Sequence, residues 1–213
     1  MSRQRQELIS ELASDLTPVT HGGHTGGKTM LWLLLAVVAG FGLMRSVAPF
    51  RPGSLMQLAD YPQYALETLL GASAIGVLAF CAFRLCIPQA APLARRVVPA
   101  LALLGAWLAM QVLALAMPAV PPSMLGDRHH CYLEIIVYAL PSLALGLWWA
   151  RRLWPLYPAL TGALIGLTAG AVPALAMSFA CMYMPGHNLA FHLLPGLSVG
   201  ALGALIGARM LAR

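Results

Sequence analysis

Long apolar runs separated by short polar connections make up most of the chain. Each run is close to the roughly 20 apolar residues that a helix needs to cross the hydrocarbon core of a bilayer. We expect six such spans, at about residues 30–48, 64–86, 97–117, 132–150, 157–180 and 189–208. Short connections favour antiparallel neighbours, so the pattern predicts that residues 30–213 form an all-α, integral membrane bundle of six transmembrane helices.

The first 29 residues carry a short amphipathic repeat instead of a long apolar run. Glu7, Glu11 and Asp15 recur every four residues, Pro18 ends the repeat, and residues 21–28 form a Gly-rich linker. The apolar positions recur at spacings of one, three and four, which gathers them on another helix face; they are Leu8, Ile9, Leu12 and Leu16. We therefore expect an amphipathic helix and a linker within residues 1–29.

A helix this short is marginal in water, so its apolar face needs a partner. The partner could be another protein or the membrane surface. Helices that bind anionic membranes usually carry Lys and Arg on their polar face, whereas the polar face here includes Glu7, Glu11 and Asp15. The pattern favours a protein partner over lipid.

Composition agrees with a membrane protein and excludes a soluble one. The chain is 60% hydrophobic and only 9% charged, whereas soluble domains carry about 25% charged residues. The net charge of +6 includes no basic run and no interleaved aromatic residues. Direct binding to nucleic acid is therefore not expected.

The positions of Lys and Arg predict the orientation. If the N-terminus is cytoplasmic, ten of the 13 basic residues fall on that side, and only Arg45, Arg51 and Arg128 fall on the other. Cytoplasmic loops of membrane proteins carry an excess of these residues. We therefore expect a multi-pass protein with both termini in the cytoplasm.

Small residues recur every four positions in the last two spans. Gly162, Gly166 and Gly170 form one such series, and Gly196 with Gly200 forms part of another. This spacing lets helix backbones approach closely. We interpret it as packing within the bundle, with a dimer interface as the alternative.

The outer face combines several residue types that bind metals. They lie around the starts of spans four and six and at the end of span five, and are His129, His130, Cys131, Glu134, Cys181, His187 and His192. The predicted topology brings Cys131 and Cys181 to the same membrane surface. Catalytic motifs such as HExxH or a phosphate-binding glycine loop are missing from the sequence, so no enzymatic activity is expected.

Three chemistries fit these residues. Thiolate, imidazole and carboxylate groups together can bind a soft or borderline metal ion. Two thiols in an oxidising compartment can form a disulfide, and a deprotonated thiol can react with an oxidant or a thiophilic reagent. The alternative is that Cys131 and Cys181 are unconnected small residues, with the histidines near the lipid headgroups.

Several motifs in a fixed order carry a resemblance to a known family. They are LISELASDLTPV at 8–19, Arg95-Arg96 with Pro99, Cys131 with Glu134, RRLWPLYPALTGALIGLTAG at 151–170, Cys181, and GALIG at 203–207. Their order and spacing across most of the chain resemble the NrsF-like anti-sigma factors. Members of that family are six-span proteins of the bacterial cell inner membrane.

The resemblance implies a regulatory function. Such proteins hold a sigma factor of the extracytoplasmic-function (ECF) class away from RNA polymerase and release it under heavy-metal or oxidative stress. The two family cysteines correspond to Cys131 and Cys181, which are therefore expected to sense the signal. No permanent cofactor is implied, but a heavy-metal ion could bind transiently there; the possible further ligands are His129, His130, Glu134 and His187.

On this interpretation the sigma factor contacts the apolar face of the N-terminal helix, formed by Leu8, Ile9, Leu12 and Leu16. Two alternatives stay open. A small metal or solute transporter would need polar groups along a path through the bilayer, and the middles of the six spans lack Asp, Glu, Lys and Arg. A purely structural membrane protein would be insensitive to replacement of Cys131 and Cys181 except for a change in stability.

Overall fold

The fold is known from a computed structural model that describes residues 3–14, 25–87 and 91–212, with side chains from residue 5 onward. Leu16, the fourth member of the expected apolar face, lies outside the described residues. The helical elements in that part of the chain are α1 (Arg3–Ser14), α2 (Thr25–Val47), α3 (Gln57–Asp60), α4 (Pro62–Arg84), α5 (Leu93–Leu113), α6 (Cys131–Arg151), α7 (Pro158–Ala180), α8 (Pro185–His187), a π-helix (Asn188–Leu193) and α9 (Leu194–Met210).

The described residues contain six helices that are long and apolar enough to cross a membrane. They are α2, α4, α5, α6, α7 and the continuous helical stretch Pro185–Met210. No β-strand occurs in the described part of the chain. The prediction of an all-α bundle with six spans is confirmed.

Some helices begin earlier along the chain than the apolar pattern suggested. The first span begins at Thr25, so the second half of the Gly-rich segment is helical, and Thr29 donates a hydrogen bond from its hydroxyl to the Thr25 carbonyl. The third span begins at Leu93, which places Arg95 and Arg96 in its first turn. Polar residues can extend a membrane helix beyond its apolar run, and hydropathy alone does not mark where the helix starts.

Helix α7 lies at the centre of the bundle. Sixteen of its 23 residues are buried, compared with five of 23 in α2. It packs against α2, α4, α6 and α9, while α5 packs mainly against α4. Any displacement of α7 therefore reaches four of the five other spans.

Glycine residues form the contact between α7 and α9. A Cβ atom added to Gly162 would meet the Gly203 carbonyl oxygen, and one added to Gly170 would meet the Gly196 carbonyl oxygen. At Gly166 the obstructing atom is the carbonyl oxygen of Val199. Backbone therefore occupies the space that a side chain would need, and the series predicted from sequence packs inside the bundle.

We predict that Gly166→Ala destabilises the protein, because the obstructing atom belongs to the backbone and cannot move aside by rotating. Overpacking of this kind costs about 1–3 kcal/mol, which corresponds to a fall of roughly 3–10 °C in the melting temperature. Thermal unfolding in detergent measures it. The matched control is Gly105→Ala, since no atom lies within 4 Å of a Cβ there. Equal melting temperatures for the two variants would contradict the packing described.

Candidate functional site

The two cysteines expected to act together are in contact. Cys131 is the first residue of α6, and Cys181 directly follows α7. Their Sγ atoms are 3.2 Å apart, and the residues are 2% and 0% exposed, respectively. The Cys131 thiol also lies 3.2 Å from the carbonyl oxygen of Arg128, to which it can donate. The fold thus joins the ends of two spans through a pair of thiols.

Two histidines complete the cluster. The Nε2 atom of His187 lies 3.5 Å from the Cys181 Sγ atom. The His187 and His192 ring centroids are 5.0 Å apart. His192 is only 1% exposed, and neither of its ring nitrogens has a hydrogen-bond partner within the described residues. One ligand atom from each of Cys131, Cys181, His187 and His192 lies within 4.8 Å of all the others.

A π-helical turn explains how His187 and His192 come together. Residues five apart point in different directions on an α-helix, which has 3.6 residues per turn. The π-helix Asn188–Leu193 instead follows the i→i+5 pattern, which aligns such residues. It precedes Pro195, which lacks the N–H that would donate to the carbonyl of Phe191 in an α-helix. His192 stands among the metal-binding residue types of the outer face in the sequence, but the ligands expected from the sequence did not include it.

Glu134 is engaged elsewhere. It forms an ion pair with Arg128 at 2.9 Å and accepts a hydrogen bond from the Tyr138 hydroxyl at 3.3 Å. Arg128 also donates to the carbonyls of Ala48 and Pro49, just after α2. This arginine fixes the loop before Cys131 to the end of the first span, so Glu134 has a positioning role beside the cluster.

His129 and His130 lie apart from the four-residue group. Both are exposed at the surface, whereas three members of the group are buried and His187 is partly buried. Of the six residues proposed from sequence as metal ligands, the fold gathers Cys131, Cys181 and His187. The histidines of the group are therefore His187 and His192 from the last span, and not His129 and His130, which directly precede Cys131.

The environment of Cys181 favours the thiolate form. The hydrogen bond with the Cys131 thiol lowers the pKa of Cys181, and His192 and His187 act in the same direction, while burial opposes them. The net result is a pKa below the ordinary value for cysteine. The thiolate is the form that binds metals and attacks electrophiles, so this shift favours both reactions at the cluster.

The arrangement matches the donor set of a closed tetrahedral metal site. Two thiolates and two imidazoles are typical ligands of zinc and of other thiophilic ions. With metal–sulfur bonds of about 2.3 Å, tetrahedral geometry separates the two sulfur atoms by about 3.8 Å. The Sγ atoms of Cys131 and Cys181 would move apart by roughly 0.6 Å to bind it, and would approach by roughly 1 Å to form a disulfide. The two reactions therefore move the sulfur atoms in opposite directions.

A small polar cavity adjoins the cluster inside the bundle. It has a volume of about 20 Å³, and its lining includes Glu67, Gln111, Asn188 and His192. That space accommodates about one water molecule. The Oδ1 atom of Asn188 has no hydrogen-bond partner within the described residues, so a water there would satisfy buried polar groups next to His192.

Helix α1 carries apolar and acidic side chains that are accessible at its surface. Leu8, Ile9 and Leu12 are each more than half exposed. Glu7 and Glu11 are also exposed. The described part of the expected apolar face is therefore open to a partner.

Comparison with known proteins assigns the chain to a family. The sequence pattern of NrsF, described as "negative regulator of sigma F", matches residues 12–212. The chain belongs to the NrsF family. The match runs from α1 to the end of α9, so it includes both cysteines and the entire bundle.

A curated relative supports this membership. The anti-sigma-F factor NrsF of Caulobacter vibrioides (strain NA1000 / CB15N) is 36% identical to this chain over 85 residues. The alignment spans 38% of this chain and 38% of the relative. No solved structure matches the chain.

We predict that this NrsF-family protein binds one Zn²⁺ per chain through the four-residue cluster. His192→Ala should weaken the affinity by about 100-fold or more, since the site loses a direct ligand and changes of supporting residues alone cost 10–100-fold. Isothermal titration calorimetry in detergent measures it. The control is the double variant His129→Ala/His130→Ala, which should bind like the wild type. If the control loses affinity and His192→Ala does not, the ligand assignment is wrong.

Proposed function

We propose that this NrsF-family protein is a membrane anti-sigma factor. It holds an ECF-class sigma factor at the cytoplasmic face of the bacterial inner membrane, and it releases this partner when its thiols react on the opposite face. The family match over residues 12–212 is the observation that supports the regulatory role. The 3.2 Å contact between the Sγ atoms of Cys131 and Cys181 supports the sensory role.

The two functional regions lie at opposite ends of the first span. Helix α1 precedes α2, whereas the loop before the cluster is bonded through Arg128 to Ala48 and Pro49, just after α2. The 23 residues of α2 correspond to about 35 Å, which is enough to cross the hydrocarbon core. With the excess of basic residues on the side of the termini, α1 is cytoplasmic and the cluster faces the periplasm.

A change at the thiol cluster can reach α1 through helix α7, which packs against α2 and α6. Binding of a soft metal or oxidation displaces the start of α6 relative to the end of α7, because each carries one thiol. Helix α2 packs against both α6 and α7, so it responds to a change in their packing. The signal releases the partner only if it favours one of two arrangements of the bundle. A coupling of 1–3 kcal/mol changes partner affinity about 5- to 150-fold.

The partner surface we propose is the exposed apolar face of α1, which includes Leu8, Ile9 and Leu12. These side chains repeat at helical spacing and are more than half exposed. An amphipathic helix of this kind binds by inserting its apolar face into a hydrophobic groove of another protein. Leu16, the fourth apolar position of the sequence repeat, lies outside the described residues.

We expect tagged wild-type protein, solubilised in detergent, to retain a sigma factor in a pull-down. Zn²⁺, Cd²⁺ or a thiol oxidant should reduce that retention at least about fivefold. The Cys131→Ser/Cys181→Ser variant should retain the sigma factor but lose the response. The matched control is Cys81→Ser/Cys86→Ser, which should respond like the wild type. If no sigma factor is retained in any condition, the proposed function is wrong; if the Cys131/Cys181 variant still responds, the sensor is elsewhere.

We also expect Leu8→Asp/Leu12→Asp to abolish retention of the sigma factor, because each carboxylate would have to be buried in an apolar interface. Loss should exceed about tenfold, as is usual when interface anchors are replaced. Ser10→Asp on the opposite face of α1 serves as the control and should retain the partner. Retention by the Leu8/Leu12 variant would show that α1 is not the docking helix.

A further inference from the structure

A groove opens between the C-terminal end of α4 and the N-terminal end of α5. Its volume is about 330 Å³, and its lining combines apolar and basic side chains. Val77, Phe80 and Pro99 supply apolar walls. The groove is far from the thiol cluster, because it lies at the end of the bundle where α2 begins.

The rim of this groove carries positive charge that nothing in the described structure neutralises. Arg96 is held in place because it donates to the carbonyls of Arg84 and Ile87. Arg84 and Arg95 are exposed. Neither forms an ion pair with a carboxylate among the described residues, where the one ion pair joins Arg128 to Glu134 beside the thiol cluster. The first turn of α5 has no acidic residue and no side-chain cap, so its helix dipole adds to the positive potential.

Helix α1 has the complementary chemistry. Leu8 and Leu12 are four residues apart and share a face, as do Glu7 and Glu11. With 3.6 residues per turn, Glu11 lies only about 60° around the helix from Leu8. The acidic side chains of α1 therefore lie next to its apolar side chains. The groove has the matching arrangement, with apolar walls next to a basic rim.

The chain places α1 within reach of the groove. Helix α1 ends at Ser14 and α2 begins at Thr25, so ten residues join them and can span at most about 35 Å. The start of α2 borders the groove directly, since a Cβ atom on Gly26 would lie 4.0 Å from the Cε1 atom of Phe80. Docking within one chain is favoured because the tether keeps the local concentration of α1 high.

We propose that α1 docks into this groove of its own chain. Leu8 and Leu12 enter between the apolar walls, and Glu7 and Glu11 face Arg84 and Arg95. The docked helix buries the apolar face that would otherwise bind a partner. The groove therefore competes with the sigma factor for α1. The docking itself is independent of the proposed function, whereas the competition rests on it.

Native Cys81 in the groove lining allows a direct test. Leu12→Cys protein, purified without partner into nanodiscs of neutral phosphatidylcholine, is treated with a short bis-maleimide. We expect a cross-link between positions 12 and 81, identified by peptide mass spectrometry. Ser10→Cys, on the opposite face of α1, is the matched control and should give about tenfold less product. Equal yields from the two variants would overturn the proposal.

Charge reversal supplies a second readout. Glu7→Arg/Glu11→Arg should lower the yield from Leu12→Cys about fivefold, since two exposed ion pairs are lost. Adding Arg84→Glu/Arg95→Glu should restore it, and a combined variant that stays low would overturn the pairing. Arg96 is left unchanged because it fixes the adjoining backbone. A cross-link in a protein that retains no sigma factor would support docking while refuting the proposed function.

Discussion

The close approach of α7 and α9 is the constraint on which the rest of the structure depends. Carbonyl oxygens of α9 occupy the space beside Gly162, Gly166 and Gly170. Lipid tails are as apolar as the side chains of the helices, so van der Waals packing of this kind replaces the hydrophobic effect as a source of helix association. This contact also fixes the two elements that meet at the thiol cluster, since Cys181 follows α7 and His192 precedes α9.

The cluster combines burial with unsatisfied polar atoms. Three of its four residues are buried, yet His192 has two ring nitrogens without partners in the described structure and a small polar cavity beside it. Leaving such groups unsatisfied costs free energy, and a metal ion bound to one of these nitrogens would recover part of it. A metal ion separates the sulfur atoms and a disulfide draws them together, so each reaction replaces the 3.2 Å thiol contact between the start of α6 and the end of α7.

Sequence reasoning predicted the spans, their number and the glycine packing, because each depends on regular spacing of apolar or small residues. It also placed Cys131 and Cys181 at one membrane surface through topology alone. It could not predict that Glu134 pairs with Arg128, since that choice depends on how the loop after α5 folds. His192 was named on the outer face but not among the expected ligands, and its contact with His187 depends on a π-helical turn that changes which residues share a face.

We propose that Cys131, Cys181, His187 and His192 form a single ligand site. Zn K-edge X-ray absorption on the Zn²⁺-loaded protein measures its ligand shell. We expect two sulfur neighbours at about 2.3 Å and two nitrogen neighbours at about 2.0–2.1 Å. A shell of nitrogen and oxygen without sulfur would refute the proposed site, as would a shell that is unchanged in His187→Ala/His192→Ala.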